Sequence, residues 1–233
     1  MEAYAALDHQ LTLEALAKVK ADSLIPVEQQ VTPKTLVAAD TYQQRCLKYP
    51  HRATFLSYPA FIQALLFESQ VGVTSFIPNP FSLHFCGRRY IPQFYVIESR
   101  AAQVVALTAD GTLNKPPSEL LQRFFQWESM SFKVVAYEEV LMHEAEALNW
   151  LRLIQVLVVA NQYGLDTRQE ELEIIQECAF RETVAVGDLI SPLRRSQLSN
   201  KEIALYRLLH SHRLEADMVS RGLDYDSEIT VCV

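Results

Sequence analysis

The amino-acid sequence predicts an α/β protein that is built on a mixed β-sheet with flanking helices. Five short runs rich in β-branched and aromatic residues are separated by turn residues: VGVTSF, FSLHF, YIPQFYVIE, QVVALT and FKVVAY. A helical pattern over 57–69 precedes these runs, and a second one, which begins near Ser118, separates the last two. Because the second helix crosses over between strands, we expect a mixed sheet.

Breaks in these patterns divide the chain into three regions. Residues 1–49 have apolar positions at helical spacing before Pro26 and Pro33, which predicts an N-terminal helical arm and linker. Residues 50–165 contain the sheet pattern and end in a single long helix from Glu138 to Tyr163. Residues 166–233 contain two short helical patterns, VAVGDLI and KEIALYRLLH, followed by the extended segment RLEADMV. Two short helices with an extended segment behind them predict a winged helix.

Composition restricts the way in which this protein can contact nucleic acid or membranes. The chain has 233 residues, 49% of them hydrophobic, with a net charge of −7 and a pI near 5.4. Bulk positive charge is therefore excluded, and any DNA contact must be local. The N-terminus does not resemble a signal peptide, and the apolar region 148–160 is shorter than the roughly 20 residues that span a bilayer. We expect a cytoplasmic protein with no membrane contact.

Several enzyme classes lack the motifs that they need. No Gly-x-Gly-x-x-Gly, P-loop or Gly-x-Ser-x-Gly occurs among the 6 glycines, which argues against nucleotide-binding loops and the usual serine hydrolase elbow. The 4 cysteines are isolated from one another, and the histidines are not at metal-ligand spacing. The sequence therefore predicts no metal site.

The most informative stretch is RRYIPQFYVIESRAAQVVALT, residues 88–108. A strand that follows a proline and a polar residue, then a hairpin and a second strand, is typical of a nuclease core. In such a core an aspartate on the first strand and an acid-x-Lys run on the second hold a divalent metal and position a water. Gln93 stands where that aspartate would be, and Ala106-Leu107-Thr108 stands where the acid-x-Lys run would be.

The order of these segments resembles the TnsA family, endonucleases that cleave the non-transferred strand at the ends of certain transposons. The resemblance covers roughly residues 50–233, and it rests on these segments: LSYPAFIQALLFES, VGVTSFIPNPFSLHF, RRYIPQFYVIE, VVALT, FKVVAYEEV, TVAVGDLISPL and ALYRLLHSHRLEADM. It implies a restriction-endonuclease-like core that is followed by a winged helix.

The resemblance also implies where catalytic residues would stand. The family's helix glutamate falls at or near Tyr58, its strand aspartate at Gln93, and its acid-x-Lys run at Ala106 and Thr108. None of these positions carries a carboxylate or an ammonium group. We therefore expect a degenerate PD-(D/E)xK-type site that has no catalytic residues.

A relocated active site is the alternative to an inactive one. The candidate residues are Glu68, Glu98, Asp110 and Lys115. Glu98 is an odd number of residues from Gln93, which turns its side chain to the opposite sheet face unless a bulge intervenes. We expect these four to be solvated turn and edge residues.

A basic segment lies near the C-terminus of this acidic chain. Its cations are Arg194, Arg195, Lys201, Arg207 and Arg213. In a winged helix, the second helix and the arginines before it can reach DNA phosphates. Alternatively, the apolar residues of that helix pack the small domain while the cations are solvated. In the resembled family this domain also contacts the ATPase regulator of transposition, which makes a protein docking surface the third reading.

Taken together, the residues and the resemblance predict a TnsA-like subunit of a DNA transposition machine. It is expected to bind DNA, or the transposase and its ATPase regulator, or both, without cutting and without a cofactor. A free-standing winged-helix DNA-binding regulator is one alternative. An active endonuclease with relocated residues is another, and only that alternative would need Mg²⁺.

Overall fold

The computed structural model of this chain describes residues 13, 16–31, 39–85, 87–113, 118–181, 183–191, 193 and 199–232. It confirms the predicted α/β class. The chain divides into two compact units. The first unit comprises residues 1–44, 48–64 and 72–142, and the second comprises 45–47, 65–71 and 143–233.

Residues up to 142 supply most of the strands. These are β1 (Val19–Ala21), β2 (Tyr42–Arg45), β3 (Arg52–Phe55), β4 (Val73–Pro78), β5 (Leu83–Phe85), β6 (Arg88–Tyr90), β7 (Phe94–Glu98), β8 (Ala101–Thr108) and β9 (Ser131–Ala136). The helices are α1 (Tyr58–Ser69), α2 (Ser118–Trp127) and α3 (Tyr137–Leu141). Helix α1 belongs to the first unit up to residue 64 and to the second unit from residue 65.

The main sheet of the first unit is mixed, as predicted, with strand order β4-β7-β8-β9. The pairs β4–β7 and β7–β8 are antiparallel, and β8–β9 is parallel. A two-residue turn connects β7 to β8, and both its residues, Ser99 and Arg100, have positive φ, as a type I′ hairpin turn requires. Helix α2 makes the crossover that a parallel pair needs.

Helix α2 buries one face because its apolar residues recur at helical spacing. Leu121, Phe124 and Phe125 pack in one cluster with Val19, Phe81, Leu83 and Val104. This cluster also includes β1 and β5, which pair in a second sheet with the order β1-β5-β6. Val19, an apolar position of the predicted N-terminal helix, is therefore in a strand opposite Phe85. Most of that predicted helix lies outside the described residues.

The second unit is helical with one small sheet. Its elements are α4 (Glu144–Gln162), α5 (Arg168–Arg181), β10 (Thr183–Ala185), α6 (Val186–Leu189), α7 (Ser199–His210), β11 (Leu214–Ala216) and β12 (Glu228–Val231). The strands form an antiparallel sheet with the order β10-β12-β11. The apolar face of α7 is buried, as expected if its leucines pack the domain.

Two predicted helices differ from the structure here. The single helix predicted from Glu138 to Tyr163 is two helices, α3 and α4, which are interrupted at Met142 and His143. The predicted helix VAVGDLI begins as strand β10, which includes Val184 and Ala185, and is helical only over Val186–Leu189. Helix α4 lies in the second unit. It lies there because Leu157 and Ala160 pack with Ile203 of α7 and because Asn149 Nδ2 donates to the carbonyl of Met218.

Membrane contact was not expected from the sequence. None of the helices in the described ranges is long and apolar enough to cross a membrane.

Candidate functional site

Gln93 lies where β7 begins and reaches across to β8. The register of the two strands starts with Phe94 opposite Val105. Beyond this first pair, the N–H of Leu107 donates at 2.7 Å to the side-chain Oε1 of Gln93. The backbone carbonyl of Gln93 is turned the other way and accepts from the N–H of Asn79 at 2.8 Å. The side chain thus satisfies a backbone N–H that would lack a strand partner.

The other positions that the resemblance assigns to a catalytic site are Ala106 and Thr108 on β8 and Tyr58 on α1. Ala106 is fully buried and offers a methyl group. Thr108 ends β8, and its Oγ1 is buried without a hydrogen-bond partner among the described residues. Tyr58 is the first residue of α1, and its ring lies 5.5 Å from that of Tyr42.

These residues do not fit a divalent metal. Mg²⁺ is held by carboxylates, water and phosphate oxygens in near-octahedral geometry. Gln93 offers a neutral amide oxygen that already accepts from an N–H. Ala106 offers a methyl group, and Thr108 offers a hydroxyl. No ammonium group is present at residue 108 to stabilise developing charge.

Two of the residues proposed for a relocated site are exposed in the first unit. Glu98 is exposed at the end of β7. Asp110 is exposed in a turn, where hydrogen bonds from Thr112 hold the pKa of its carboxyl below the ordinary value. Lys115 lies outside the described residues. Within the described ranges, no group of three or more acidic, histidine or cysteine side chains could hold a metal ion.

Glu68 corrects the expectation that all four candidates are solvated. Its side chain has 0% exposure, and it lies in the second unit. Oε1 accepts the N–H of Leu47 at 2.8 Å, and Oε2 lies 2.9 Å from Nε2 of His210. The His210 ring in turn lies edge-on to Trp150, with centroids 6.4 Å apart. Glu68 therefore joins distant parts of the second unit.

Two of the cations predicted to face DNA, Lys201 and Arg207, are held by contacts inside the second unit. Lys201 Nζ lies 3.7 Å from Glu177 on α5. Arg207 donates to Thr167 Oγ1, to Asn161 Oδ1 at 3.2 Å and to the carbonyl of Leu165 at 2.8 Å. These three acceptors lie at the end of α4 and in the loop before α5. Arg207 therefore connects α7 to that loop.

Arg213 is the most accessible cation of the predicted set that the structure describes. Its side chain is 51% exposed, and its guanidinium lies 3.9 Å from Glu171. The same carboxylate lies 3.9 Å from Arg207 and accepts from Thr167 Oγ1 at 2.9 Å. Arg207, Arg213 and the carboxylate of Glu171 thus line one cleft. Arg194 and Arg195 lie outside the described residues.

The connection between β11 and β12 is acidic. Helix α7 itself exposes only Ser199 and Asn200, and its half-buried residues are Lys201, Glu202, Tyr206, Arg207 and His210. The β11–β12 connection and its strands carry five acids against one cation, Arg221; the acids are Glu215, Asp217, Asp224, Asp226 and Glu228. A surface of this sign repels phosphate.

Comparisons with known proteins add no assignment. The chain matches none of the protein-family models, and no curated protein matches it.

Sequence reasoning missed the partners that fix these side chains. The Glu68–His210 pair joins residues 142 positions apart, and the Arg207–Thr167 bond joins residues 40 positions apart. The buried Glu68 has one local signal, since the four residues before it in the helix, ALLF, are all apolar.

Proposed function

We propose that this chain is a TnsA-like subunit of a DNA transposition machine that does not cut DNA. In this proposal the first unit has a restriction-endonuclease-like core without catalytic groups. The second unit is a winged helix that binds a protein of the machine, the transposase or its ATPase regulator. The observation that carries the proposal is the hydrogen bond between Gln93 Oε1 and the N–H of Leu107.

That hydrogen bond supports the proposal because it involves the two segments that the resemblance assigns to catalysis. The elements follow one another as the resemblance requires: helix α1, strand β4, the pair β7 and β8, crossover helix α2, and strand β9. The two segments to which the resemblance assigns the aspartate and the acid-x-Lys run lie next to each other, since Gln93 Oε1 accepts from the N–H of Leu107. What differs is the chemistry, since a neutral amide and a methyl group occupy the ligand positions.

Charge favours a protein over DNA as the main partner of the second unit. Helix α7 would be the recognition helix of a winged helix, which enters the DNA groove. Its central residues are buried, and the extended connection beside it is acidic. Arg207 and Lys201, which were expected to contact phosphate, already contact Thr167 and Glu177.

The purified chain is expected to leave DNA intact in the presence of Mg²⁺ or Mn²⁺. The measurement is conversion of supercoiled plasmid to nicked or linear forms over time, with an active restriction enzyme as the positive control. The catalytic positions supply no carboxylate to bind metal and no lysine to stabilise charge. Glu98→Ala is the matched variant. Nicking that disappears in Glu98→Ala would show a relocated site and refute the proposal.

The chain is also expected to co-purify with the transposase or the ATPase regulator of the same element. The three proteins are co-expressed, and the complex is followed by size-exclusion chromatography at increasing salt. The complex is expected to dissociate as salt rises, because the contact is charge-driven. The screening length falls from roughly 10 Å at 0.1 M to 3 Å at 1 M. Migration as an uncomplexed protein, together with binding to DNA duplexes, would instead support a free-standing regulator.

A further inference from the structure

A small cavity in the second unit lies between α6, α7 and the segment before β12. It measures about 100 Å³, and its lining comprises Val186, Ile190, Glu202, Leu205, Tyr206, Leu223, Asp224 and Tyr225. Pockets that hold drug-sized ligands measure roughly 300–1,000 Å³. This cavity is therefore of a size for one side chain of a larger partner.

The floor of the cavity is apolar and fixed. Val186, Ile190 and Leu205 are all buried. The segment before β12 is attached to α6 by two backbone bonds, from Val186 N–H to the Ser227 carbonyl at 2.9 Å and from Gly187 N–H to the Tyr225 carbonyl at 2.7 Å. A Cβ at residue 187 would lie 3.0 Å from that Tyr225 oxygen, so glycine permits this close approach. The cavity is thus preorganised.

The rim of the cavity is negatively charged and aromatic. Glu202 Oε1 accepts from the hydroxyl of Tyr206 at 2.8 Å. Asp224 Oδ1 accepts from Ser227 Oγ at 2.8 Å and from the N–H of Asp226 at 3.0 Å. The bond from Ser227 is the main cause that holds the pKa of Asp224 below its ordinary value, and Arg221 contributes. Asp224 therefore carries its charge at neutral pH.

Arg221 lies in the same connection as Asp224. Its Nη2 donates to the Asp226 carbonyl at 3.3 Å. Its charge also acts on the carboxyl of Asp224.

We propose that this cavity binds a lysine or arginine side chain of a partner protein. The aliphatic stem of such a side chain matches the apolar floor, and long cationic side chains bury their stems while the charged end stays at the surface. The cationic end meets the carboxylates of Glu202 and Asp224 and the rings of Tyr206 and Tyr225, which also attract cations. This inference rests on the proposed function, since it names the chemistry of the protein that the second unit binds.

The test begins with selection of random dodecapeptides on the immobilised full chain. The tightest peptide is labelled with fluorescein, and its binding is measured by anisotropy. Its cationic residue is then replaced with citrulline for arginine, or norleucine for lysine, which removes the charge and keeps the length. We expect selected peptides to contain a lysine or arginine whose replacement weakens binding at least about fivefold.

The protein variants test the same contact from the other side. Glu202→Gln combined with Asp224→Asn keeps both oxygen acceptors, so the bonds from Tyr206 and Ser227 can form, and it should weaken peptide binding at least about fivefold. Glu215→Gln combined with Glu228→Gln removes two exposed carboxylates that do not line the cavity. That control should keep the affinity within about twofold, since only long-range attraction is lost.

Three results would overturn the inference. They are failure to select any peptide, selection of peptides without a required cation, and equal binding by the two double variants. Competition by a short DNA duplex would assign the surface to nucleic acid instead. The peptide measurement involves no DNA cleavage and no transposase, so its failure leaves the non-cutting function standing. Conversely, plasmid nicking would refute that function and leave the peptide result intact.

Discussion

Glu68→Ala is expected to lower the free energy of unfolding of the second unit by about 2–4 kcal/mol. The wild-type carboxylate is fully buried and uses both oxygens, one for Leu47 N–H and one for His210. Alanine leaves both groups without their acceptor and opens a cavity, and each effect destabilises. Because a whole domain is stable by roughly 5–15 kcal/mol, this loss is a large fraction of the total.

The two tryptophans allow this loss to be measured in the second unit alone. Trp150 lies beside His210 in that unit, whereas Trp127 is exposed in the first unit. A Trp127→Phe background therefore makes fluorescence in a urea titration report on Trp150. Glu228→Ala, at an exposed acid of the same unit, is the matched control and should change stability by about 0.5 kcal/mol or less. Equal stability of Glu68→Ala and Glu228→Ala would show that Glu68 is not buried as described.

The central sheet could be predicted because its signals are local. Strands β4, β7, β8 and β9 each coincide with a β-branched or aromatic run bounded by turn residues. The short strands β1, β2, β3, β10 and β12 were missed. A strand of three or four residues is too short to show a clear alternation of apolar and polar residues. Its pairing also depends on distant partners, as Val19 opposite Phe85 shows.

The interruption of the predicted helix 138–163 has no comparable local signal. Met142 and His143 separate α3 from α4, and neither glycine nor proline stands there. The N–H of Met142 still bonds to the carbonyl of Glu138, and the N–H of Ala147 bonds to that of His143. Each helix thus keeps its own hydrogen bonds, and the helical spacing of apolar residues in the sequence continues across the interruption.

The candidate site illustrates the same limit for side chains. Sequence order was sufficient to place Gln93 near the Ala106–Thr108 segment, because both follow from strand pairing. Sequence order was not sufficient to predict the contact partners of the charged residues. Their local density suggested an accessible basic surface, whereas the acceptors that hold Arg207 come from α4 and the following loop.

Arg207→Ala is expected to destabilise the second unit by about 2–3 kcal/mol, because hydrogen bonds to charged groups contribute roughly 1.5–3 kcal/mol. The guanidinium donates to Thr167, Asn161 and Leu165 and so connects α7 with the loop between α4 and α5. Thr167 is fully buried, so water does not replace the lost donor at its hydroxyl. Urea unfolding followed by Trp150 fluorescence in the Trp127→Phe background measures the change.

Two further variants distinguish this structural role from a contact with DNA phosphate. Arg207→Lys keeps the charge but cannot fork to three acceptors, so it should recover less than half of the lost stability. Arg213→Ala removes a half-exposed cation and should cost about 1 kcal/mol or less. A phosphate contact predicts the reverse pattern. Arg207→Ala would then leave stability unchanged and reduce the salt slope of DNA binding by about one, and Arg207→Lys would restore that slope, because the lysine charge is sufficient for phosphate.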